Sequence, residues 1–317
     1  MTPPPPSASA APSGVESAIP PLLEIENLRV AIHARGARTP VLRGVGLRLE
    51  AGRILGLVGE SGGGKTMVGK AILGVLPDSA RIEAGAIRFE GRDLFCLPPR
   101  ERRALLGGSI ATILQNPMTA LNPAYRIGDQ VTDVLRLHAG LGRAEARQRA
   151  LELLASVHIR APERVLRLYP HELSGGMCQR VVISIAFACA PRLIIADEPT
   201  TALDVTVQHQ ILRLIRDLQR KTGTAVLFIT HDLGVVAKVC DAVSVIHAGR
   251  ILDAGPVGRI FSGDRHPYTE ALLDAAPRYD RPESALRPVS PELRAQLERE
   301  TTEFDRLEQA AREAARA

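Results

Sequence analysis

Short apolar runs broken by polar turns fill residues 22–49, and the pattern closes on Glu50, Ala51 and Gly52. Such alternation predicts strands forming a small antiparallel sheet at one edge of the molecule. The texture then changes. Residues 54–58, ILGLV, form an unbroken apolar run between Gly52 and Gly59, the pattern of a central strand buried on both faces. A helix is expected to follow over about 65–76. Residues 124–172 lose the strand pattern, and helices are expected over 129–137 and 143–157, where Leu151, Leu154 and His158 recur at helical spacing. Farther on, apolar runs at 181–190, 193–196 and 225–229, with a helical stretch over 207–219, restore the alternation of a parallel sheet covered by helices. A helical subdomain, about residues 116–180, is thus expected to interrupt one α/β domain over 22–280. Residues 290–317 open on Ser-Pro and place Leu293, Leu297, Phe304, Leu307 and Ala311 among dense charges, which predicts an amphipathic helix in an extension over 281–317. Residues 1–21, rich in proline, serine and alanine, read as a disordered tail without the basic start or apolar block of a signal peptide.

Composition adds mostly exclusions. A net charge of +5 and 3% aromatic residues without tryptophan describe an arginine-rich solvated surface, because no basic run is interleaved with aromatics as a nucleic-acid groove requires. The longest apolar stretch, 181–190, falls short of the ~20 residues that span a bilayer. Any membrane-spanning part is expected from partners. Cys96, Cys178, Cys189 and Cys240 lie far apart, in neither zinc nor redox nor iron–sulfur spacing, which fits a reducing compartment.

Chemistry enters directly after the buried strand. Gly59, Glu60, Ser61, Gly62, Gly63, Gly64, Lys65 and Thr66 fit G-x-x-x-x-G-K-[ST] between a strand and a helix, the context that a phosphate-binding P-loop needs. Its glycines let backbone amides wrap phosphate oxygens, Lys65 is placed to reach the β- and γ-phosphates of ATP, and the Thr66 hydroxyl to bind Mg²⁺. The competing reading, a plain glycine turn, has the strand and helix register against it. A second apolar run, LIIA at 193–196, ends in Asp197 and Glu198. A carboxylate at that strand end points into the crevice where such sheets bind ligands. Asp197 is expected to hold the magnesium shell and Glu198 to activate or orient the attacking water. Taken alone the pair fits equally a helix cap after a buried strand; the phosphate loop tips the balance.

Leu173, Ser174, Gly175, Gly176 and Met177, followed by Gln179 and Arg180, place a serine and two glycine amides at a helix start, a second anion-facing site. As an isolated string it is also an N-cap with a glycine turn. In its position ahead of the second acidic strand it resembles the signature motif of ATP-binding cassette (ABC) ATPases, LSGGQ with Met177 last. In the same order Gln115 resembles the Q-loop, Ala202, Leu203 and Asp204 the D-loop, and Thr230, His231 and Asp232 the H-loop. The resemblance implies a P-loop α/β core with an antiparallel β edge subdomain and an inserted helical subdomain. It also implies a head-to-tail dimer in which the signature residues of one subunit complete the ATP site of the other. By the same resemblance Gln115 is expected to join Thr66 and Asp197 as magnesium ligand and Glu198 and His231 in the catalytic set.

The segments QNPMTALNP at 115–123, YPHE at 169–172 and HPYT at 266–269 resemble the oligopeptide, dipeptide and nickel branch of ABC importers. This implies an ATPase subunit peripheral to the cytoplasmic face of the cell membrane. Its partners would be a second ATPase subunit, two membrane-spanning permease subunits and an extracytoplasmic solute-binding protein. Peptides are the expected cargo, nickel or another small solute the alternative. Three positions depart from the pattern: Met177 replaces glutamine, no cysteine follows Cys240, and Ile32 stands where the branch places an aromatic ring against adenine. Two rivals fare worse. An ABC ATPase acting on nucleic acid would carry coiled-coil arms or zinc modules, and a non-catalytic subunit would not keep Lys65, Asp197, Glu198 and His231 together.

Overall fold

The computed structural model describes residues 20–34, 36–201, 203–275 and 289–314. The tail assigned to residues 1–21 lies outside the described residues except for Pro20 and Pro21, as does Ala202 of the D-loop. Strands β1 (Leu23–Ala34) and β2 (Ala37–Leu49) pair antiparallel, with Leu23 opposite Leu49 and Ala34 opposite Ala37. Strand β3 (Ile54–Val58) is buried along its whole length and feeds helix α1 (Lys65–Leu73). That helix stops three residues before the expected Leu76, because Gly74 takes the left-handed φ of 68° and turns its amide back to Ala71 and Lys70.

The sequence pattern did not reveal β4 (Ala80–Phe89) and β5 (Arg92–Asp93), which add to the other side of β1 and give the edge sheet the order β2-β1-β4-β5. Helix α2 (Pro99–Leu105) and strand β6 (Ile110–Ile113) lead back to the main sheet. Between β6 and the next strand come only helices: α3 (Pro117–Ala120), α4 (Ile127–His138), α5 (Arg143–Ser156), α6 (Pro162–Val165), a 3-10 turn at Pro170–Glu172, and α7 (Gly175–Ala186). Strand β7 (Leu193–Asp197), helix α8 (Val205–Thr222), strand β8 (Ala225–Thr230) and helix α9 (Leu233–Val239) resume the alternation. They are followed by β9 (Ala242–His247) and β10 (Arg250–Pro256), then α10 (Val257–Ser262), α11 (Pro267–Ala275) and α12 (Pro291–Ala314).

Among the described residues the main sheet has six strands in the order β10-β9-β3-β8-β7-β6, parallel except for β10. Its period-2 side chains divide two cores. Ile54, Val58, Ile194, Ala196, Val226 and Phe228 face α7, α8, α9 and the helices inserted after β6. Leu55, Leu57, Leu193, Ile195, Leu227 and Ile229 face α1 and the edge sheet. This explains the continuous apolar runs, since each strand needs apolar groups on both sides. It also holds β3 and β7 adjacent to β8, so that their C-terminal ends open on the same side.

Helix α12 forms within the residues expected for it, but its apolar positions are not all covered by apolar partners. Leu297 is buried and Leu293 packs on the main core, but Leu307 remains 58% exposed. Phe304 is covered by the guanidinium groups of Arg29 and Arg250 instead of an apolar partner. Asp305 pairs with Arg43 at 2.8 Å and Glu308 with Arg29, so the helix crosses from the main core to the edge sheet. Among the described residues no helix is long and apolar enough to cross a membrane.

Candidate active site

The phosphate loop leaves β3 through Gly59, where a Cβ would overlap the carbonyl oxygen of Ile246 on β9, so only glycine lets the two strands lie this close. Gly64 closes the loop at φ 101°, and a Cβ there would stand 2.8 Å from Leu42 Cδ2. Helix α1 therefore starts directly at Lys65, its first amides open toward the loop. Lys65 is 5% exposed, and its ammonium donates to the carbonyls of Gly59 and Glu60, both at 2.8 Å. Burial lowers its pKa, and the carboxylates of Glu198, Asp197 and Glu60 oppose that shift. Held by two loop carbonyls, the ammonium is poised for an anion.

Thr66 lies one residue into α1 and donates its hydroxyl to Asp197 Oδ1 at 3.3 Å, joining the phosphate loop to the end of β7. Burial raises the Asp197 pKa, and the Thr66 hydrogen bond works the other way. Both are hard oxygen donors, the set that Mg²⁺ prefers, so the residues present fit that ion.

Glu198 follows Asp197 in a left-handed conformation, φ 47°, with its amide held by the carbonyl of Ile229 at 2.8 Å. That turn swings the carboxylate into a ring of three partners. His231 Nδ1 stands 3.1 Å from Oε1, while Gln115 Nε2 at 3.1 Å and Thr201 Oγ1 at 2.8 Å both donate to Oε2. Burial disfavours its charge, yet the hydrogen bonds from His231 and Thr201 prevail and hold its pKa below the ordinary carboxylate range. Gln115, Glu198 and His231 come from the ends of β6, β7 and β8, which are neighbours in the sheet. Thr201 was missed in the sequence; its signal was its position three residues after Glu198, in reach of a side-chain turn.

The signature residues lie apart from this ring. Ser174 caps α7, its Oγ accepting from the Met177 amide at 3.4 Å, with Leu173 buried beneath and Gly176 close against Val207. Gln179, one turn on and fully buried, donates to the Pro199 carbonyl at 2.8 Å and so ties the signature helix to the residue after Glu198. Asp204 caps α8 through the Val207 amide at 2.9 Å.

The branch segments have local duties. Asn116 caps α3, Gln130 bridges Asn122 and Tyr125, and Arg126 lies over the Tyr169 ring, which stacks on His171. Glu172 returns its carboxylate to the Tyr169 amide at 2.7 Å.

Ile32 stands near the end of β1, between Thr39 of β2 and Ala80 of β4, partly buried against the edge-sheet core. An aromatic beneath a base contributes about 1–3 kcal/mol in nucleic-acid complexes, and isoleucine's own contacts recover part of that. Ile32→Tyr is therefore expected to tighten ATP binding about 3- to 10-fold. Nucleotide titration and thermal melting on the same variant decide it: a lower Tm with unchanged affinity takes Ile32 out of the base contact.

The family profile described as "ABC transporter" matches residues 42–201. The chain is 47% identical over 281 residues to the "Probable peptide ABC transporter ATP-binding protein y4tR" of Sinorhizobium fredii, covering 87% of this chain and 84% of that protein. It is 48% identical over 257 residues to the "Oligopeptide transport ATP-binding protein OppD" of Bacillus subtilis, covering 81% of this chain and 72% of that one. Among solved structures it resembles a dimeric, post-hydrolysis state of an ATP-binding cassette bound to ADP and Pi. The TM-score is 0.66 at 25% identity, over 74% of this chain and 98% of the other.

Proposed function

The chain belongs to the ABC transporter ATP-binding proteins, and from that premise we propose that it hydrolyses MgATP to drive import of peptides across the cell membrane. The observation that carries this is the convergence of Gln115, Thr201 and His231 on the Glu198 carboxylate, one residue from the Asp197–Thr66 contact. In this reading the loop amides from Gly62 to Thr66 and the Lys65 ammonium cradle the phosphates. Thr66, Asp197 and Gln115 hold Mg²⁺, which when bound neutralises phosphate charge. Glu198 activates or orients the attacking water. His231 holds Glu198 in place and faces the γ-phosphate.

Leu173, Ser174, Gly175, Gly176 and Met177 present their amides to the ATP of a second ATPase subunit, and Leu203 and Asp204 line the seam between the two. The dimeric state of the related cassette supports that pairing. The peptide cargo is supported by what the relatives' names state. Two permease subunits supply the spanning part and an extracytoplasmic binding protein delivers the solute, which places this chain peripherally on the cytoplasmic face.

Because each site needs two subunits, ATPase activity per molecule is expected to fall on dilution and to rise when a related subunit is added. Reconstituted with its membrane and binding-protein partners, hydrolysis should be stimulated by peptide and not by nickel. Constant specific activity in a demonstrably monomeric sample overturns the composite site; stimulation by nickel instead of peptide overturns the cargo.

A further inference from the structure

The HPYT segment marks the branch, yet the hydrolytic site described above leaves it without a task. It begins helix α11, far from the phosphate loop in sequence. In the fold it reaches that loop. Tyr268 is wholly buried, among the largest side chains so enclosed, and its hydroxyl oxygen accepts a hydrogen bond from the Glu60 amide at 3.3 Å. The same glutamate's carbonyl accepts from Lys65 Nζ at 2.8 Å and from the Gly63 amide at 3.1 Å. Glu60 is thus gripped at its amide by α11 and at its carbonyl by the lysine that faces the phosphates.

The tyrosine is itself firmly seated. Asp253 on β10 accepts from the His266 amide at 2.9 Å, from Thr269 Oγ1 at 3.2 Å and from Arg259 at 3.0 Å, fixing both flanks of the segment. His266 Nδ1 accepts from the Tyr268 amide at 3.1 Å. The ring packs against His247 at a centroid distance of 4.6 Å. His247 ends β9, and two residues later Gly249 donates its amide to the Gly63 carbonyl at 3.0 Å. Among the described residues two hydrogen bonds from the C-terminal third of the chain therefore meet the phosphate loop, and Tyr268 makes one of them. Burial pushes its phenol up to about 12, so the hydroxyl stays neutral at working pH and suits an amide donor.

We propose that Tyr268 is a positioning residue for ATP binding: through the Glu60 peptide it holds the phosphate loop and Lys65 in the geometry that receives the phosphates. The proposal rests on the ATPase reading above. Tyr268→Phe keeps the ring and its packing and removes only the acceptor oxygen. The Glu60 amide is only partly buried, so losing its partner costs about what a net hydrogen bond contributes and not the larger penalty of a buried unpaired donor; the Kd for ATP and the KM should rise about 3- to 10-fold with kcat within about twofold. Nucleotide titration and steady-state kinetics measure this on protein whose fold is checked by circular dichroism. Thr269→Val, which loosens the seat without touching the loop, serves as the comparison for a purely structural loss. A Tyr268→Phe variant that loses Tm as Thr269→Val does but binds ATP like the wild type overturns the proposal, as does a fall in kcat at unchanged KM. Wild-type protein that binds no ATP would instead overturn the ATPase reading, so the two failures are told apart.

Discussion

Glu198→Gln is expected to lower ATP turnover about 100- to 10,000-fold, the range over which a positioned acid–base group contributes, while ATP binding stays within about twofold. Glutamine keeps the shape and one acceptor oxygen for Thr201 and Gln115 but loses the charge that orients water. The carboxylate is held by three side chains, so the rest of the ring remains in place. Bound ATP should then persist between two subunits, and the variant should accumulate as a closed dimer in the presence of MgATP. Turnover and size-exclusion profile, measured on one preparation, test both halves. Hydrolysis within tenfold of the wild type would remove Glu198 from the chemistry.

Lys65→Ala should act earlier, on binding. Lys65 is almost fully enclosed and donates to two loop carbonyls, so alanine deletes a positive charge facing phosphate and loosens the loop that carries the amide donors. A hydrogen bond to a charged group contributes about 1.5–3 kcal/mol net, so ATP affinity should fall about 10- to 100-fold. Titration with a fluorescent nucleotide checks it. Affinity within threefold of the wild type would show that the loop amides alone hold the phosphates.

The site was legible where its chemistry is local. Gly59 to Gly64 join a buried strand to the helix that Lys65 and Thr66 open, and Asp197 ends another buried strand just before Glu198, so residue type and short-range pattern specify both. What escaped was non-local. The central strand β3 lies between β8 and β9, an order that no stretch of sequence spells out, and β9 and β10 passed without a distinct signal. Strand β4 carries Gly85 at φ 94° and register shifts in its pairing with β1, which interrupt the alternation that would have announced it. The contact from Tyr268 to Glu60 depends on α11 folding back across the sheet. Helix α12 was legible as an amphipathic helix, but not the partner of its Phe304, which is covered by arginines from distant strands where a periodicity argument assumes an apolar surface.

The backbone at Glu198 is wound to φ 47°, a conformation that costs a residue with a Cβ roughly 1–2 kcal/mol and costs glycine almost nothing. The three donors on its carboxylate, His231, Gln115 and Thr201, offset that cost. Glycine would relax the backbone and forfeit all three contacts, so a laboratory evolution campaign scored on melting alone has little to gain at this codon. The strained turn and the aimed carboxylate are kept by the same bonds.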